Sequence, residues 1–94
     1  MSFRRTLLAV ALGVALFHGP AHASDADIRL LAKQATEAYA AKDYVASADG
    51  FAAAIAAGGD EPALFYNAAC AYALAGRREA AFDFLRQALS LIHI

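Results

Sequence analysis

The sequence predicts an all-α fold of two helix-turn-helix hairpins behind an export signal, and three observations carry that expectation. Past Ala23, alanine fills 22 of 71 positions, and alanine is the strongest intrinsic helix former because ordering it costs no side-chain entropy. Breakers cluster at "GGDEP" (Gly58 to Pro62) and at Gly76, with a weaker point at Lys42 and Asp43. The second half then lies on the first in one constant register, which pairs Leu31 with Phe65, Ala35 with Ala69, Ser47 with Ala81, Phe51 with Leu85 and Ala54 with Ala88. A fixed period of this length, about 34 residues, marks a repeated supersecondary unit. Repeat one is expected over about 26–59 and repeat two over about 60–93.

The stretch from Met1 to Ala23 reads as a secretory signal peptide. Arg4 and Arg5 form a positive start, Thr6 to Phe17 an apolar run, and His18, Gly19 and Pro20 a break before Ala21, His22 and Ala23. Small residues at Ala21 and Ala23 suit a signal peptidase, so cleavage is expected between Ala23 and Ser24. The apolar run is shorter than the ~20 residues a helix needs to span a bilayer. Membrane contact is therefore expected only during export, and the destination is the periplasm or the exterior. "RRTLL" also resembles a twin-arginine motif, which leaves the export route open between two systems.

In the expected mature chain, Ser24 to Ile94, six basic residues face nine acids for a net charge of −3. That balance argues against nucleic acid, whose binding rests on a concentrated basic face. Cys70 is the only cysteine, so no internal disulfide can form. A single core below about 70–80 residues is marginal. Stability must come from helix packing or from assembly.

Each helix has a periodic apolar face. Ile28, Leu31, Ala32, Ala35 and Tyr39 line the first, expected from about Ala26 to Ala41 with Asp25 as its cap; Tyr44, Ala48, Phe51 and Ile55 line the second, capped by Asp43. In the third, Pro62 suits the opening turn, where its missing N–H has no partner to lose, and Phe65, Ala69 and Tyr72 point inward. In the fourth, Ala81, Leu85, Ala88 and Leu89 do so. Alanine at 35, 69, 81 and 88 permits close backbone approach, and Phe51, Phe65 and Tyr72 fill the gaps between hairpins. Cys70 between alanines then reads as a small packed hydrophobe rather than a reactive thiol.

The second repeat resembles the tetratricopeptide (TPR) family. Its motif runs aromatic, two small residues, aromatic, glycine, alanine, bulky residue, alanine, and here Phe65, Ala68, Ala69, Tyr72, Gly76, Ala81, Leu85 and Ala88 stand in that order. The family's closing proline is replaced by His93. The first repeat follows less closely, with Leu31, Gln34, Ala35, Ala38, Lys42, Ser47, Phe51 and Ala54. An unrelated alanine-rich four-helix bundle is the competing reading. The resemblance implies an α-solenoid fragment whose concave groove binds a peptide or partner protein. By matching positions, that groove carries Arg29, Lys33, Thr36, Tyr66, Asn67, Cys70 and Ala73. An amide such as Asn67 donates and accepts at once, which suits a peptide main chain. Arg29 and Lys33, four apart on one face, are expected either to attract an acidic group or simply to be solvated.

No catalytic, cofactor-binding or metal-ligating constellation is expected. Ser24, Ser47 and Ser90 lack a nucleophile elbow and a neighbouring base, "AAGGDEP" lacks the lysine and spacing of a phosphate loop, and His93 has no companion at metal-ligand spacing. Two repeats are fewer than the ~3 a solenoid usually needs, and "LSLIHI" runs apolar to the end of the chain where a solenoid wants a polar cap. The sequence therefore reads as truncated or chimeric at its C-terminus. Two functions follow: an exported interaction module able to self-associate through its last helix, or the N-terminal positioning part of a longer exported hydrolase or peptidase.

Overall fold

The computed structural model describes residues 23–92, and the expected export segment up to His22, together with His93, lies outside them. Four α-helices and no strand are found among the described residues: α1 Asp25–Ala40, α2 Tyr44–Ala56, α3 Pro62–Leu74 and α4 Arg78–Ile92. The all-α expectation holds, with α1 starting and ending one residue earlier than periodicity suggests. Each helix packs on the next in the chain, α1 on α2, α2 on α3 and α3 on α4.

The cap of α1 is Ser24, not Asp25. Its hydroxyl accepts from the Asp27 N–H at 3.1 Å while the Asp27 carboxylate accepts from the Ser24 N–H at 3.3 Å, a reciprocal capping box. Asp25 falls inside the first turn, where its charge complements the helix dipole. Asp43 caps α2 as expected, accepting from the Ala46 N–H at 3.2 Å. Pro62 occupies the first turn of α3.

All three interhelical connections begin with one device. After α1, α2 and α3 a residue adopts positive φ, namely Lys42 at 64°, Gly58 at 117° and Gly76 at 84°. The following N–H, of Asp43, Gly59 or Arg77, then donates to the carbonyl of Ala38, Ala54 or Tyr72. This pattern satisfies carbonyls that the helix end leaves free. Lys42 and Gly76 hold equivalent places in the two repeats, so the sequence register and the backbone register coincide.

Packing within the two hairpins differs. A β-carbon added at Gly50 would lie 2.8 Å from the Ala35 β-carbon, so α1 and α2 cross with nothing larger than a methyl group between them. Next to this crossing, the wholly buried Ser47 donates its hydroxyl to the Ala35 carbonyl at 2.8 Å. The counterpart of Gly50 in the second hairpin is Phe84, whose ring stacks on Tyr72 at 5.3 Å and 4° and lies 6.4 Å from Phe65. Glycine and alanine close the first hairpin, aromatic rings the second.

Ala35, Phe51, Phe65, Ala69, Tyr72, Ala81 and Ala88 are buried, while Leu31 and Leu85 are only half-buried. Two residues expected to point inward turn outward: Tyr39 lies at the edge of its helix, ring against Tyr44 at 5.4 Å, and Leu89 is exposed. Periodicity places both on an apolar stripe, but Tyr39 is covered only in part, by Tyr44, and no neighbouring helix among the described residues covers Leu89.

Candidate functional site

The feature that gathers most of the expected groove residues is a cleft of about 340 Å³ walled by α1 and α3 and floored from α2. Phe51, 3% exposed, lies at its base. Thr36 and Tyr39 line it from α1, and Tyr66, Asn67 and Cys70 from α3. Helical spacing explains the set: Thr36 and Tyr39 are three apart, Tyr66 and Cys70 four apart, so each pair shares one helix face.

The Thr36 hydroxyl donates to the Ala32 carbonyl at 2.9 Å, which spends its donor locally. Tyr66 is half exposed, and its phenol pKa is raised above the usual value, chiefly by the neighbouring Cys70 thiol and to a smaller extent by burial and by Tyr39. Asn67 is exposed, and its amide makes no hydrogen bond to another described residue. The site thus combines an apolar floor, two phenolic walls and one uncommitted amide.

Three expected groove residues sit elsewhere. Lys33 pairs with Glu37 one turn along α1, both exposed. Arg29 lines a separate cleft beside Asp25, Asp60 and Glu61. The two cations therefore do not form a free basic patch, because acids from their own helix and from the α2–α3 connection stand next to them. Ala73 lines a neighbouring hollow between α3 and α4, which shares Tyr66 and Cys70 and is bounded by Ala69, Ala81 and Leu85. Sequence reasoning misses Tyr39 as a wall because periodicity assigns that ring to the core.

No family model, curated protein or solved structure matches the chain. Among the described residues, no three His, Cys, Asp or Glu side chains converge to hold a metal ion, and no helix is long and apolar enough to cross a membrane. The chemistry that the cleft offers is that of recognition: aromatic faces for apolar side chains and an amide for a main chain.

Proposed function

We propose that this chain is an exported TPR-like interaction module that holds an extended peptide segment of a partner protein in the Tyr39–Tyr66–Asn67 cleft. The observation that carries the reading is the juxtaposition of two partly exposed tyrosines with the uncommitted Asn67 amide above a buried phenylalanine. Tyrosine gives large contact area at small entropic cost. The amide reads backbone rather than side chain, so the segment is held extended and its sequence is selected by what fits over Phe51. The acidic balance of the chain, the pairing of Lys33 with Glu37 and the acids that share the cleft of Arg29 favour a neutral or basic segment over an acidic one.

The test is a selection from a random linear peptide library on the immobilised protein, followed by fluorescence-polarisation titration of an enriched peptide. Tyr66→Ala and Asn67→Ala should each weaken binding about tenfold or more, with the helical circular dichroism retained because both side chains are exposed. Failure to enrich any peptide, or an affinity indifferent to both substitutions, would sink the reading.

A further inference from the structure

The Tyr39–Tyr66–Asn67 cleft, completed by Thr36, Phe51 and Cys70, is lined by no aspartate, glutamate, lysine, arginine or histidine. Its neighbours differ: the hollow between α3 and α4 includes Arg78, and the cleft of Arg29 includes Asp25, Asp60 and Glu61. A charged side chain seated over Phe51 would lose hydration and meet no opposite charge in return. The complement in charge is therefore a segment whose bound residues are uncharged.

Hydrogen bonding narrows the class further. Each phenol offers one proton and the Asn67 amide two, while the Thr36 proton is already given to Ala32. The walls are helices, whose own carbonyls are engaged along the helix axis, so apart from the Asn67 oxygen the cleft accepts chiefly through hydroxyls. An occupant rich in carbonyls and poor in N–H groups fits that supply. A helical segment keeps its carbonyls to itself. A strand brings an N–H with each carbonyl, and no strand among the described residues offers an edge to receive them. A polyproline II segment has no internal hydrogen bonds, and each proline in it brings a carbonyl without an N–H.

We infer that the segment held in this cleft is proline-rich and binds as a polyproline II helix, its pyrrolidine rings against Tyr39 and Tyr66 and a main-chain carbonyl on the Asn67 amide. The inference rests on the peptide-cleft reading and adds to it the class of segment. Tyr39 stands on α1 and Tyr66 on α3, so the rings belong to separate walls, with the buried Phe51 as the floor. Aromatic-lined grooves of this kind suit polyproline because the segment is ordered before it binds. Proline also has almost no rotamer freedom to lose on burial. The cost of ordering the partner is thus small, which matters for a short cleft with few polar groups.

The test is fluorescence-polarisation titration on protein recovered from cells expressing the full chain, with two labelled probes. One is an oligoproline; the other is the same peptide with alternate prolines replaced by valine, which restores N–H groups and favours a strand. The oligoproline should bind about tenfold more tightly, the effect of one buried N–H left without a partner. Tyr39→Ala and Tyr66→Ala should each weaken it about tenfold or more, and Asn67→Asp, which keeps the shape but donates nothing, should weaken it as well. Helical circular dichroism checks each variant, and if Tyr39→Ala loses its signal the two α3 variants carry the comparison. Valine-substituted peptide binding as tightly as oligoproline, oligoproline binding indifferent to the folded variants, or Tyr66-dependent peptides from the random library that lack proline would each overturn the inference. The last result would leave the peptide cleft standing, whereas no binding by any linear peptide would remove both.

Discussion

Lys42 stands in a backbone conformation that its two counterparts fill with glycine. At φ 64° its β-carbon crowds the neighbouring carbonyl, a cost of about 1–2 kcal/mol for an L-residue that glycine avoids. Glycine forfeits part of that gain because it is freer in the unfolded chain. Lys42→Gly should therefore raise stability by a net ~0.5–1 kcal/mol, read as a melting point a few degrees higher. The cap positions give a paired prediction. Asp43 holds the start of α2 through the Ala46 N–H, and Asp43→Ala should cost about 1 kcal/mol. Its counterpart before α4 is Arg77, a cation at the positive end of a helix dipole. Arg77→Asp should add up to about 1 kcal/mol by supplying both an acceptor and the right sign of charge; chemical denaturation of the three variants checks all of this.

At the scale of elements, the two hairpins solve one geometric problem with different residues. Gly50→Ala gains about 1 kcal/mol of helix propensity but sets a methyl group 2.8 Å from the Ala35 β-carbon, an overlap that costs about 1–3 kcal/mol in a packed crossing. A net loss is expected, and a double-mutant cycle with Ala35→Gly should show favourable coupling between the two sites. An unchanged midpoint for Gly50→Ala would mean that the helices part freely there. The helices themselves are legible in the sequence because breakers and apolar spacing are local signals: Pro62, Asp43 and Gly76 punctuate the chain where the elements change. What those signals do not carry is the identity of each neighbour. Periodicity puts Tyr39 and Leu89 on apolar stripes but says nothing of whether a helix covers them. The spacing of Arg29 and Lys33 gives a shared helix side, while Asp60 and Glu61 come to line the cleft of Arg29 only through the α2–α3 connection. Phe84 escapes notice because register comparison expects similar bulk, and its counterpart is a glycine.

For the molecule as a whole, the capping box fixes a starting point. The structure begins its first helix one residue after Ser24, the residue that cleavage after Ala23 would leave as the new amino terminus. The freed amine would stand beside the Asp27 carboxylate, which already accepts from that nitrogen at 3.3 Å, so processing would leave no loose lead ahead of α1. Intact-mass measurement of the exported protein should give a chain beginning at Ser24; one that still contains Arg4 and Arg5 would refute export with cleavage. The arrangement of rings has an optical consequence. The chain has no tryptophan and four tyrosines, so its near-ultraviolet dichroism arises chiefly from phenols held in fixed surroundings. The edge-on contact of Tyr39 with Tyr44 reports on the first hairpin, and the ring of Tyr72 lying flat on Phe84 reports on the second. Tyr72→Phe keeps the stack and silences the second reporter, so the difference between the melting curves of the variant and the wild type isolates the second half without a label.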